Sequence, residues 1–235
     1  MLDANKKDRK KKNIPLIVEV AGLAGAGKTT LVRLMSQRMG RIFVGPELEL
    51  RRINQIPIFV AQVTSLLPFL LQSCLTSRWF TWDELKAMAY LNGWTRILAQ
   101  QATSQNMILL LDHGPIFKMA TLNAFGPERL KKKGAEKWWN KMFEQWAHTL
   151  DMIIWLDAPN TILRDRINNR VQKHIVKGKP QQETEEFLTL YRKSFEEILA
   201  AMKSKSGPTF YQIDRASNSI ENVVDEILYV LARNN

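Results

Sequence analysis

The stretch "EVAGLAGAGKTTLVRLM" (residues 19–35) decides the fold. Gly22 to Thr29 read G-x-x-x-x-G-K-T, between an apolar run, "IPLIVEV" (14–20), and a helical pattern that opens at Gly27. Glycines in such a loop let the backbone turn tightly, so that successive N–H groups point into one concavity. A helix opening there adds its positive end. Gly22, Ala24, Gly25, Ala26, Gly27, Lys28, Thr29 and Thr30 therefore form the candidate nucleotide-binding set. Lys28 is expected to reach the β- and γ-phosphates of ATP, and Thr29 to place its hydroxyl on Mg²⁺.

Outward from this loop, four more apolar runs follow: "RIFVG" (41–45), "MILLLD" (107–112), "MIIWLD" (152–157) and "TFYQID" (209–214). Long helical patterns separate them. Apolar runs alternating with helices indicate a parallel sheet buried on both faces. The expected fold is a three-layer α/β/α sandwich with a five-stranded parallel sheet. Helices are expected near 27–39, 58–75, 82–104, 114–125, 133–149, 160–172, 181–203 and 219–232, with Thr81 and Asp83 offering helix-start chemistry. No repeat or Pro/Ser-rich linker interrupts residues 14–235, which read as one domain.

The formal charge is +11, and residues 5–13, "NKKDRKKKN", carry six basic side chains and one acidic one. Residues 1–13 are expected to be a solvated, disordered basic tail, with no specific nucleic-acid partner implied. They contain no apolar segment of the secretory kind. One cysteine, Cys74, excludes an internal disulfide and fits a reducing, cytoplasmic setting. Three scattered histidines argue against structural zinc. Residues 53–77 carry no charge, but four amide side chains and the breaks expected at Pro57 and Pro68 favour a buried helix pair or a dimer face over a membrane span.

A carboxylate at the end of a neighbouring strand should organise Mg²⁺. Asp112 and Asp157 both qualify, and Asp112 is the choice. Motor and AAA-type ATPases usually follow this Asp with a water-activating Glu; here His113 and Ala158 follow, which disfavours a dedicated hydrolase. The guanine-reading N-K-x-D occurs at Asn5–Asp8, ahead of the phosphate loop and so on the wrong side of the fold. Transfer of a phosphoryl group to an acceptor remains.

The segments "LLLDHGP", "WLDAPNTILRDRINNR", "EEFLTLYRKSFEEIL" and "YQIDRASNSIENVVDEIL" resemble corresponding elements of the P-loop nucleoside and nucleoside-monophosphate kinases, thymidylate kinase most of all. The resemblance covers most of residues 14–232 and implies an ATP- and Mg²⁺-dependent kinase of a small acceptor. It implies acceptor-binding helices at about 46–105 and a lid at about 170–183. Arg166 and Arg170, four apart, would share one helix face and stabilise charge on the transferred group. The loop Asp214–Ser217, including Arg215 and Ala216, would edge the adenine, the other reading being an ordinary strand-to-helix connection capped by Ser217 or Ser219. Glu47, just past the second strand, matches a carboxylate that takes the acceptor's proton in deoxynucleoside kinases, and Arg51 and Arg52 could bind an anionic acceptor.

Two departures bear on the acceptor. His113 stands where the family has an arginine, and the thymidylate kinase "REPGG" element is absent. An imidazole, mostly neutral at pH 7, is a weak clamp for a phosphate. A nucleotide or nucleoside is therefore one expectation for the acceptor, and a non-nucleotide such as a sugar, an antibiotic or adenylyl sulfate is the other. Phe59, Leu66, Phe69 and Leu70 would either line an apolar acceptor pocket or form a homodimer interface within helices of residues 53–104. A third reading is a regulatory module that binds nucleotide without turnover.

Overall fold

The structure, a computed structural model, describes residues 15–45, 56–73, 78–101, 107–205, 207–214 and 219–234. The basic tail and Glu47, Arg51, Arg52, Arg215 and Ala216 lie outside these residues.

The five apolar runs are the five strands: β1 (Leu16–Gly22), β2 (Ile42–Val44), β3 (Ile108–Asp112), β4 (Met152–Asp157) and β5 (Thr209–Asp214). They form one sheet in the order β2-β3-β1-β4-β5, with every pairing parallel. The central strands β1, β3 and β4 are buried almost throughout. Continuous Val/Ile/Leu runs behave this way when helices cover both faces.

Between the strands lie α1 (Lys28–Arg38), α2 (Ile56–Ser73), α3 (Trp82–Gln101), α4 (Pro115–Phe125), α5 (Glu136–Thr149), α6 (Asn160–Asn169), α7 (Gln181–Ser204) and the last helix, α8 (Ile220–Asn234). Several ends were legible. Thr81 and Glu84 form a reciprocal capping box at α3, with bonds of 2.7 and 3.3 Å. Arg78 then forks onto Glu84 and reaches the Phe125 carbonyl, tying the start of α3 to the end of α4. At α8 the cap is Ser219, whose Oγ accepts the Asn222 N–H at 3.2 Å. Helix α5 begins at Glu136 and not at Lys133, because residues 128–131 and 133–135 form two 3₁₀ turns.

Helix α2 corrects one expectation. It runs unbroken through Pro57 and Pro68. Pro57 sits in the first turn, where its missing N–H is not needed, and Pro68 forfeits one internal bond. Phe59, Leu66 and Leu70 face inward and are buried. Phe69 is half-buried between Phe80 and Trp138, with ring centroids 6.4 and 6.2 Å away. The outward face instead carries Ile56, Val60, Leu67 and Leu71, all exposed, with Trp79 and Trp82 exposed just beyond it. Among the described residues, no helix is long and apolar enough to cross a membrane.

Candidate active site at the ends of β1 and β3

The phosphate loop leaves β1 at Gly22 and closes on α1. Gly25 and Gly27 have φ of +84° and +94°, a region that side-chain-bearing residues rarely enter. Gly27 is the N-cap of α1, so the helix's first free N–H groups face the loop. Helix α6 presses close: a Cβ on Gly25 would meet the Leu163 carbonyl at 2.8 Å. Arg166, on that helix, has Nη1 3.4 Å from the Gly25 carbonyl oxygen.

Lys28 is buried and donates from Nζ to the carbonyls of Gly22 (2.8 Å) and Leu23 (3.0 Å). The same ammonium lies 5.8 Å from the centre of the Phe117 ring. Burial pulls its pKa down to about 8; Arg170 acts in the same direction, and Asp112 and Glu19 oppose it.

Asp112 ends β3 beside β1, with Val20 as its register partner. Its Oδ2 accepts the Thr29 hydroxyl at 2.8 Å, which joins the first turn of α1 to the strand carboxylate. Its Oδ1 is buried, with no hydrogen-bond partner among the described residues. His113 Nδ1 lies 3.3 Å from that oxygen without hydrogen-bond geometry. A buried, unsatisfied carboxylate oxygen beside a hydroxyl is a hard-oxygen donor pair, and Mg²⁺ suits it, since that ion takes one or two protein oxygens and fills its shell with water and phosphate. Among the described residues, no group of three His, Cys, Asp or Glu side chains could cage a metal. His113 itself has φ +58°, stacks edge-on to Phe117 at 4.4 Å, and is kept below its ordinary pKa by burial. It is therefore neutral at pH 7.

Beneath this turn lies a group the motif reading did not single out. Glu19, in the middle of β1, is fully buried. Its carboxylate accepts the N–H groups of Ile116 (2.9 Å) and Phe117 (3.0 Å) at the start of α4. Burial pushes its pKa up to about 7, against the pull of those two N–H groups and of Lys118. The native state thus holds a proton that the unfolded chain releases near pH 4.5. That contribution is complete below the unfolded value and is lost as pH rises through about 7. Between pH 4.5 and 7.5 the wild type should lose about 3 kcal/mol of stability relative to Glu19→Gln. Urea denaturation of both proteins across this range checks the prediction; a pH-independent difference counts against it.

At β4 the competing carboxylate is committed elsewhere. Arg192, from α7, forks onto Asp157 Oδ1 with one nitrogen, and with the other onto the Ala158 carbonyl (2.7 Å) and Asn160 Oδ1 (2.9 Å). Asp157 also accepts the Ala158 N–H at 2.8 Å. Helix α6 ends at Asn169, and Arg170 follows in extended conformation (φ −75°, ψ 152°). Arg166 and Arg170 therefore do not share a helix face; the turn turns Arg170 onto the Lys173 carbonyl at 3.3 Å. Residues 170–180 connect α6 to α7, and 181–183, expected in the lid, are already helical. Val171 and Ile175 in this connection are exposed.

Thr29 and Asp112 are thus in contact, with Lys28, His113 and Arg166 around the same loop. Phe69 belongs to a separate aromatic cluster. Asp214 ends β5 in register with Asp157, at the same edge of the sheet.

A family model described as an AAA domain matches residues 17–198. The comparison with curated proteins found no match. Among solved structures, the chain is similar to a deoxyadenosine kinase from M. mycoides with bound dCMP and dCDP (17% identity, TM-score 0.55, covering 93% of this chain and 100% of that one). It is also similar to thymidylate kinase from Candida albicans (16% identity, TM-score 0.56, covering 94% and 92%). At these identities the likeness is one of fold: the five-stranded parallel sheet with flanking helices is that of P-loop kinases. The family model spans well over half of the sequence, and the chain accordingly belongs to the AAA-domain family of P-loop proteins.

Proposed function

We propose that the protein is a cytoplasmic, ATP- and Mg²⁺-dependent phosphotransferase that moves the γ-phosphoryl group to a small acceptor, a nucleoside monophosphate or nucleoside. The observation that carries this reading is the 2.8 Å contact between the Thr29 hydroxyl and Asp112, with the second Asp112 oxygen left unsatisfied. Thr29 and Asp112 would hold Mg²⁺, which supplies charge neutralisation across the β- and γ-phosphates. The loop N–H groups and the start of α1 bind the phosphates. Lys28 exchanges the Gly22 and Leu23 carbonyls for phosphate oxygens. Arg166 and Arg170 offset charge on the transferred group, while residues 170–180 cover the site and keep water from it. Asp214, Arg215 and Ala216 edge the adenine. Glu47 is the candidate acceptor of the substrate's proton, with Arg51 beside the acceptor.

His113 supports a second reading of the acceptor. Neutral and packed against Phe117, it supplies no charge where the resembled family has an arginine. A non-nucleotide hydroxyl acceptor such as a sugar places the least demand on it. The test is ADP release from Mg·ATP across nucleosides, nucleoside monophosphates, sugars and adenylyl sulfate. Stimulation by a nucleotide or nucleoside is expected. Stimulation by non-nucleotides alone would move the function to the second reading, and nucleotide binding with no turnover would make the protein a regulatory module.

We also propose that the chain forms a homodimer through the outward face of α2. Ile56, Val60, Leu67 and Leu71 recur at helical spacing on a helix with no charged residue. Two copies of a chain of charge +11 repel each other, and a neutral apolar face lets them meet at least cost. Light scattering should give a dimer for the wild type and a monomer for Leu67→Glu/Leu71→Glu; a wild-type monomer at micromolar concentration would overturn this.

A further inference from the structure

Helix α4 has no side-chain cap of its own: Gly114 is its N-cap and carries no side chain to bond the first turn. The cap comes from a different element, for Glu19 on β1 takes the N–H groups of Ile116 and Phe117. The fit depends on glycine, since a Cβ at residue 114 would lie 2.7 Å from the Glu19 carboxyl carbon. On the other side of the turn, Lys118 Nζ donates to the His113 carbonyl at 2.8 Å. The turn Asp112–His113–Gly114 is thus fastened at both ends, with His113 held at its unusual φ.

A serine or asparagine at residue 114 would satisfy the same N–H groups. A local cap would not fasten α4 to the strand that carries the phosphate loop. Glu19 does, and Gly22, where the loop begins, is three residues further along the same strand. We propose that Glu19 is a positioning residue: by clamping the start of α4 to β1, it fixes Asp112 relative to the phosphate loop, so that the Asp112 and Thr29 oxygens meet the same cation. The inference rests on the nucleotide-binding reading above.

The test uses the full chain, with the β,γ-imido analogue of ATP titrated calorimetrically with and without Mg²⁺, alongside thermal melts. In the wild type, Mg²⁺ should raise analogue affinity by about tenfold or more. In Glu19→Gln, which keeps the size and one accepting oxygen, the gain should shrink to about twofold while Mg²⁺-free affinity holds. Glu19→Ala should lose both thermal stability and the Mg²⁺ gain. Glu19→Ala/Gly114→Ser, with a local cap in the vacated space, should recover stability but not the gain. A wild-type Mg²⁺ gain in Glu19→Gln would overturn the inference, as would a double variant that recovers both properties together, because Glu19 would then be a cap and nothing more. A wild type that binds no analogue would instead overturn the nucleotide reading, and this inference with it.

Discussion

Replacing Lys28 with alanine is expected to lower phosphoryl transfer by at least about a thousandfold while leaving the fold as stable as before or more so. The two effects have one cause. Lys28 is buried between the loop and Phe117, and burial brings its pKa down from 10.5 to about 8. A lysine whose folded pKa is depressed destabilises the native state wherever it is charged. That penalty is full below about pH 8 and relieved as pH rises through the unfolded value of 10.5. Among the described residues, only the Gly22 and Leu23 carbonyls accept its bonds, and neither is a counter-charge. The ammonium is thus held under-compensated in a place where a polyanion would compensate it. ADP-release assays and melts at pH 7 check both halves. Normal turnover in Lys28→Ala would exclude the phosphate-loop mechanism, and a large loss of stability would mean that the loop is built on this lysine.

The second large effect separates two carboxylates that look alike in sequence. Asp112→Asn is expected to cut turnover by about a hundredfold or more and to raise the Mg²⁺ concentration needed for half-maximal rate. The amide keeps one oxygen for Thr29 but no longer presents a charged oxygen in the position of Oδ1. Asp157→Asn should leave the Mg²⁺ response intact and cost stability, about 2 kcal/mol, because the partly buried Arg192 guanidinium loses its counter-charge. Titrating Mg²⁺ against rate for both variants decides the matter. Loss of the Mg²⁺ response in Asp157→Asn alone would place the metal on β4 and overturn its assignment to Asp112.

The phosphate loop and the five strands were readable because their signals are local: glycine spacing, and apolar runs long enough for a strand and too short for a helix. Asp112 is chosen over Asp157 in the sequence itself, but the commitment of Asp157 to Arg192 is a contact that no spacing encodes, since Arg192 lies 35 residues from its carboxylate. Helix α2 misled for a related reason. In a helix apolar on both faces, sequence does not tell Leu66 and Leu70, which pack inward, from Leu67 and Leu71, which do not. The spacing of Arg166 and Arg170 suits one helix face, yet the helix ends one residue before Arg170. Glu19 did leave a signal within the opening stretch: a lone carboxylate inside "LIVEVAG", a run otherwise fit for burial on both faces. A charge in such a strand must find donors, and here they belong to a helix almost a hundred residues later.

The fork of Arg192 has a bearing on how this scaffold can diversify. It joins the end of β4 and the start of α6 to the middle of α7, and Arg164 of α6 meets Glu185 of α7 at 3.4 Å, so the two helices that flank residues 170–180 are tied to each other without help from the connection itself. Extra residues inserted there would cost little more than loop closure, about 0.6 kcal/mol for each doubling of length. A flap of any length could be carried between the same two posts, so its sequence is free to change with the molecule it covers while the phosphate chemistry behind it stays fixed.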